Sequence, residues 1–548
     1  MQDLHSLLHS FTYGEWASFQ SYLTSFTAHD QGKLKYLQLA KILMNSETAP
    51  SHDACCISIY GAKNVHSFNE LKSSFREKAL DFLLTDISAD KQKELDEADY
   101  AVIKIKKKSA QFQQLFYSKK RIPLLYPLLD EIIFLSKEYE RYSLLVEHLR
   151  IKRNSIGWKK GEKEFAKINK EMENYEACSR MVNKAEYYYY ELMMKSDPSG
   201  KQSDQKLKSF FEKATVELDA YYEQTKSALI KYHNEFLKLG YSIHVKNYLK
   251  ARSICLKLLE VVRNNKSVYR RQRIGVVYDN LSRCDFYLGN FEQAAEFATE
   301  AQKHFKLNSE NYCIALEQEF YALFAMNNYE KAVDIANKMI SNAPSKELGE
   351  FRFSKYNYLL ANALFKQRRF NEVLDLLSQN RELSKDKTGW EVGARTLTIM
   401  TLIEMLKLDE AGLAVHSLKQ FYKRLDSKII NISETNSPDG EIAASENEKE
   451  TSIRSRDKKI LNLLLIAERA GFMFSTLNGN TNKYAKALAS EFPWEPFTHE
   501  LIPFHEWFAK KMKNKIGIES FNESKKKGEK IRVMKSKRKK KASLVQLS

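Results

Sequence analysis

Four times between Gly275 and Leu425, an apolar stretch, a short turn and a second stretch led by an aromatic or a leucine recur at nearly fixed spacing. The second stretches open as Phe291-Glu292-Gln293-Ala294, Tyr329-Glu330-Lys331-Ala332, Phe370-Asn371-Glu372-Val373 and Leu408-Asp409-Glu410-Ala411. Their leads lie 38, 41 and 38 residues apart, the period range of a helix-turn-helix repeat. Such a period leaves a chain few options. Each two-helix unit has an apolar face that only a neighbouring unit can cover, so the units must stack. Small residues at Ala294 and Ala332 let the second helix approach its partner closely, and the lead side chain fills the corner between them.

Composition agrees with helices throughout. Only 18 Gly and 9 Pro occur in 548 residues, while 43% are hydrophobic, so a large interior is available and chain breakers are scarce. The expected fold class is all-α, a helical-repeat solenoid accompanied by a long antiparallel helical hairpin and an N-terminal helical domain. Along the chain we expect an N-terminal helical domain over 1–120 and helical hairpins over 121–240. Repeats follow over 241–425, a flexible acidic insertion over 426–459, capping helices over 460–515 and a basic disordered tail over 516–548. Within the second region, Phe165, Ile168, Met172, Tyr175, Cys178, Val182, Ala185, Tyr189 and Leu192 step by three or four. The stepping resumes from Leu207 to Leu239 and predicts two coiled-coil-like arms of roughly 50 Å each. Residues 45–69 show no period and read as a loop. Tyr248-Leu249-Lys250-Ala251 resembles a partial unit, and Glu138 to Tyr142 a degenerate one.

The formal net charge of +18 is mostly local. Lys525 to Lys541 holds eleven Lys or Arg against one Glu, or +10, which leaves about +8 for the rest. Lys535, Lys537, Arg538, Lys539, Lys540 and Lys541 could contact phosphate backbones by counterion release. They could equally pair with the six acidic residues between Glu434 and Glu450. Cys55, Cys56, Cys178, Cys255, Cys284 and Cys313 form no C-x-x-C pair and read as reduced thiols. The N-terminus has no basic and apolar leader pattern and no stretch is long and apolar enough to span a bilayer, so the expected location is cytoplasmic. No phosphate-binding, dinucleotide-binding, zinc-protease or nucleophile-elbow motif occurs. No enzyme activity, cofactor or metal is therefore expected. His5 and His9 stand one turn apart with no third ligand in view and read as helix-end residues.

The four units resemble tetratricopeptide repeats, a family with an aromatic at the turn and small residues three and seven positions later. Gly289, Phe291, Ala294, Ala298 and Ala301 match most fully, then Tyr329, Ala332 and Ala336, with Pro344 beyond. The layout is similar to that of bacterial tetratricopeptide proteins. The resemblance implies that the first helix of each unit lines a concave groove. It places Arg283, Phe286, Glu317, Tyr321, Phe324, Lys355, Tyr358 and Phe365 there, as the contact residues for a peptide or helix of another protein. Some members hold the acidic tails of heat-shock chaperones through a lysine and an asparagine in the first unit. Asp279 and Arg283 occupy those places here, which argues against that ligand. The expected function is a protein-protein interaction scaffold. The alternative is a nucleic-acid- or ribosome-associated protein that uses the lysine tail.

Overall fold

The computed structural model describes residues 1–25, 30–63, 66–85, 95–118, 123–195, 204–342, 350–379, 389–434, 455–477 and 497–513, with Thr481, Ala485, Lys486, Leu488 and Ser490. Every regular element among them is helical. The chain opens with α1 (Gln2–His9), α2 (Tyr13–Ser25), α3 (Asp30–Asn45), α4 (His52–Tyr60), α5 (His66–Thr85) and α6 (Glu97–Tyr117). Next come α7 (Leu125–Glu138), α8 (Tyr142–Lys152), the short α9 (Trp158–Lys160), α10 (Glu162–Lys195), α11 (Asp204–Thr225), α12 (Ala228–His244) and α13 (Tyr248–Asn264). The repeat region holds α14 (Arg271–Tyr287), α15 (Phe291–Gln302), α16 (Glu310–Ala325), α17 (Tyr329–Asn342), α18 (Glu350–Lys366) and α19 (Phe370–Gln379). It continues with α20 (Trp390–Glu404), α21 (Leu408–Glu434), α22 (Ser455–Arg469) and, after a 3-10 turn, α23 (Phe504–Lys513).

By packing, the chain forms two compact units. One comprises Met1–Tyr187, Glu217–His233 and Glu260–Arg270; the other comprises Tyr188–Val216, Asn234–Leu259 and Arg271–Ser548. The first has an aromatic N-terminal core in which Phe19 meets Phe11, Phe75 and Phe82 at 5.5, 5.8 and 5.1 Å. The stretch expected as a loop over 45–69 contains α4, begun by Ser51, whose hydroxyl accepts from the Ala54 N–H, and ended by left-handed Gly61. Its apolar residues are spread around the helix, so no period betrays it.

The expected long hairpin is interrupted. Its second arm breaks at Lys226, which has φ 53°. There the Glu140 carboxylate reaches across 88 residues of sequence to accept from the Ala228 N–H at 2.9 Å and the Leu229 N–H at 3.3 Å. It also accepts from the Ser227 and Ser267 hydroxyls. A charged cap on otherwise unpaired N–H groups defines a helix start as firmly as an adjacent Ser or Asp would. On α10 the buried stripe runs through Val182, Ala185, Tyr188 and Leu192. Tyr188 replaces the expected Tyr189, because steps of three and four both fit that interval. Tyr188 packs against Phe210, and Tyr189 against Phe236.

The repeats are built on one backbone device. Gly289, Asn327, Arg368 and Leu406 all have φ between 58° and 84°, 38, 41 and 38 residues apart. Each stands two residues before a lead. At each, the left-handed residue's N–H bonds three residues back and the next N–H bonds five residues back, the pairing that closes a helix and starts a turn. Thus Asn327 bonds Phe324 O at 3.0 Å and Asn328 bonds Leu323 O at 2.9 Å. The same pair of bonds occurs at Glu140, Lys246 and Gly471, so this elbow also follows α7, α12 and α22. Three residues after the four leads, Ala294, Ala332, Val373 and Ala411 are fully buried. Tyr248 and Ala251 repeat the arrangement after Lys246, with Ala251 fully buried. Phe291, Tyr329, Phe370 and Leu408 therefore stand at equivalent elbows, and the solenoid is tetratricopeptide-like.

A left-handed non-glycine residue costs about 1–2 kcal/mol. Leu406 is 61% exposed, so its side chain contributes little packing in return. Leu406→Gly is expected to stabilise the protein by roughly 0.5–1 kcal/mol, after allowance for the freer unfolded chain. A lower thermal midpoint for that variant would show that the elbow is not strained.

The region expected as irregular from 426 to 459 is helical at both ends, since α21 runs to Glu434 and α22 starts at Ser455. Residues 435–454, the core of the acidic insertion, lie outside the described residues, as do Pro344 and the basic tail over 516–548.

Candidate functional site

The elbows put the first helices α14, α16, α18 and α20 in register, so side chains at equal distances before each elbow share a place. Six before, the residues are Arg283, Tyr321, Asn362 and Met400; ten before, Asp279, Glu317, Tyr358 and Thr396. Thirteen before, they are Val276, Ile314, Lys355 and Gly393. Tyr358, Asn362, Gly393, Thr396 and Met400, the α18 and α20 members of these rows with the exception of Lys355, line one common pocket.

Five of the residues expected in the groove, Arg283, Glu317, Tyr321, Lys355 and Tyr358, stand in these rows. Arg283 is exposed. Glu317 and Lys355 pair across neighbouring units at 2.6 Å, with the lysine ammonium 5.2 Å from the Trp390 ring centre. The other three serve their own elbows, and Phe286 also reaches the face. Phe286, Phe324 and Phe365 lie three residues before their elbows and pack edge-on against the leads Phe291, Tyr329 and Phe370 at 5.2, 5.3 and 5.5 Å. They are buried wedges within their own units. Phe324 and Phe365 were expected as groove anchors because the aromatic spacing of a wedge and of a lining residue differs by only three positions.

The face is not empty. Residues 497–513, expected as part of a terminal cap with a helix from Thr498, cross it as a bent, irregular stretch followed by α23. Phe497 sits against Phe286 and Tyr321, with ring centres 4.6 and 4.4 Å away. The Tyr358 hydroxyl donates to the backbone carbonyl of His499 at 2.5 Å. His499 Nε2 meets Asp457 Oδ1 at 3.2 Å, and both side chains are buried. Arg456 grips Glu500 through two bonds of 2.5 and 2.7 Å. Glu500 also accepts from the Phe504 N–H at 2.8 Å, capping α23. At the far end the Trp507 indole donates to Glu404 at 2.8 Å, and Lys511 pairs with the same carboxylate. The segment thus meets first helices from α14 to α22. Sequence reasoning missed it because Phe497 to Pro503 has no period and its partners lie far away in sequence.

Burial shifts several groups here. It raises the Tyr321 phenol well above its ordinary range, with Glu317 adding to the effect. It lowers the Lys366 ammonium, an effect that Glu506 opposes. Burial and then the neighbouring Arg456 lower His505. Asp279 shows the largest consequence. Its carboxyl oxygen Oδ1 is out of reach of solvent and has no hydrogen-bond partner, although the residue as a whole is part-exposed. Desolvation pushes it up to about 7 against the pull of Arg283, with Glu317 adding to the rise.

His5 and His9 each donate from Nε2 to a carbonyl near the end of α3, Ser46 O at 2.8 Å and Leu43 O at 3.1 Å. His9 ends α1, His5 stands one turn before it, and both rings hold the end of α3. Cys55 and Cys56 are buried. Among the described residues no group of three or more metal-ligating side chains occurs, and no helix is long and apolar enough to cross a membrane. Lys535, Lys537, Arg538, Lys539, Lys540 and Lys541 lie outside the described residues.

No family model and no curated protein matches the chain. Solved structures similar to it include the apo form of RapI, 13% identical over 71% of this chain and 98% of that one, with a TM-score of 0.39. The apo quorum sensor NprR from B. thuringiensis is 12% identical over 65% and 98%, with a TM-score of 0.38. A signal transduction ATPase with a tetratricopeptide repeat sensor from Pyrococcus horikoshii is 14% identical over 89% of this chain and 64% of that one, at 0.30.

Proposed function

We propose that the chain is a non-catalytic protein-interaction scaffold whose repeats take an extended or helical segment of another protein on their inner face. Arg283, Phe286, Glu317, Tyr321, Lys355 and Tyr358 make the contacts, while Phe324 and Phe365 hold the helix pairs that present them. One observation carries this reading: the face already holds a segment of that kind, Phe497 to Lys513, by an aromatic anchor, a backbone hydrogen bond and charge pairs. These are the means by which such grooves recognise peptides, with apolar anchors for affinity and a few polar groups for direction.

The test uses two charged residues of the face, the exposed Arg283 and the part-buried Lys355 paired with Glu317, whose replacement spares the aromatic wedges. The full chain carrying Arg283→Glu and Lys355→Glu is expected to lose partner proteins that the wild type captures, with affinity reduced at least 10-fold, or about 1.4 kcal/mol. The helical circular dichroism should stay unchanged. Capture of the same partners at equal affinity would remove this face as the binding site.

A further inference from the structure

The segment on the inner face defines the chemistry of what the face accepts, an inference that rests on the scaffold reading just given. We propose that Phe497–Lys513 is a resident ligand of the groove, and that a partner enters by exchanging with it for the same contacts. The partner segment then shares its chemistry. It has an aromatic lead, a short irregular stretch with a carboxylate, and a helix with aromatics on one side and lysines at its end.

Three observations carry this. First, the irregular stretch is held as a bound peptide is held: an anchor ring on Phe286 and Tyr321, one backbone carbonyl on Tyr358, and the Glu500 carboxylate on Arg456.

Second, the groove makes room for a passing backbone at Gly393. Thirteen residues before their elbows the first helices carry Val276, Ile314, Lys355 and Gly393. The glycine stands where the segment crosses. A Cβ on Gly393 would lie 2.7 Å from the His499 carbonyl oxygen and 2.7 Å from the Tyr358 hydroxyl. Alanine is the better helix former, so local helix stability does not explain the glycine, and passage of the segment does.

Third, the segment belongs to the same chain, which gives it an effective concentration on the order of 1 mM over the face. A free peptide of equal intrinsic affinity at about 1 μM is then excluded roughly 1,000-fold. A partner must match this chemistry and exceed it, or arrive when the segment is released.

The experiment uses the full chain with a site-specific protease recognition sequence inserted between residues 491 and 496, and a fluorescent peptide of residues 497–513 as probe. The uncut chain is expected to bind the probe weakly or not at all, and cutting should tighten apparent binding at least 100-fold. The cut Gly393→Ala chain should bind at least 10-fold more weakly than the cut parent. Three results would overturn the proposal: a cut chain that keeps its helical signal yet does not exchange, a cut chain that unfolds, or equal binding before and after cutting. Concentration-dependent dimers of the uncut chain that trade segments would also overturn it, by making a second copy the occupant. The underlying reading fails separately. If the probe exchanges yet does not compete with the captured partners, those partners bind elsewhere. If partners are lost on Arg283→Glu and Lys355→Glu but the probe never exchanges, the scaffold reading stands and the resident-ligand proposal falls.

Discussion

Asp279→Asn is expected to leave stability unchanged near pH 4 and to raise it by on the order of 4 kcal/mol at pH 8. Asp279 is one of the inner-face residues, ten before its elbow. Desolvation raises its carboxyl to about 7, from 3.8 in an unconstrained chain. A raised acid is neutral in the folded state over an interval in which the unfolded state has already ionised. Its contribution is therefore complete below pH 3.8, falls as pH rises towards 7, and is gone above that. The difference of about three pH units, at 1.36 kcal/mol each, sets the size of the effect. Asparagine has the shape of the neutral acid and cannot ionise, so it keeps the low-pH stability at every pH. The charged groups around the site are Arg283 on the same helix and Glu317 on α16. Thermal midpoints of the two proteins from pH 4 to pH 8 should diverge through this window. A constant gap would mean that Asp279 is ionised, paired with Arg283, throughout.

Much of the repeat architecture was legible because stacking leaves a local trace. Ala294, Ala332 and Ala411 are small because a neighbouring backbone lies against them, and a single substitution there would be felt at once. The elbows at Glu140, Lys246 and Gly471 were less visible. Their left-handed residues are of three different types, and the bonds that define them are made by backbone atoms, which a sequence does not show. The boundary at Ala228 carries a local signal in Ser227, whose hydroxyl accepts from the Ile230 N–H at 3.3 Å, but the carboxylate on its first two N–H groups is Glu140, far away in sequence. For the groove, register was readable but direction was not. Tyr321 and Phe324 are three residues apart on one helix, yet the first meets Phe497 and the second meets its own elbow. Least legible was the occupant. An irregular stretch makes its energy through long-range partners, and neither Arg456 nor Glu500 announces the other.

That pair supports the second large effect. Glu500→Ala is expected to destabilise the docked segment by about 3–5 kcal/mol, the usual cost of removing one member of a buried ion pair. The Arg456 and Glu500 side chains are 11% and 9% exposed, so water cannot replace the lost carboxylate around the guanidinium. Two further bonds point the same way. Glu500 caps the first N–H of α23, and Arg456 also holds the Leu488 carbonyl at 2.9 Å; without Glu500, one end of the short helix loses its cap and Arg456 loses its main anion. The damage should be confined to the segment, because the elbows of α14 to α21 are closed by their own backbone bonds. Amide hydrogen exchange separates the cases. Phe504 to Lys513 should exchange far faster in the variant, while amides at Asn328, Arg369 and Lys407 keep their protection. Equal loss at both places would make the segment an inseparable part of the core, and no loss at either would mean that Trp507 and Lys511, through Glu404, hold it unaided.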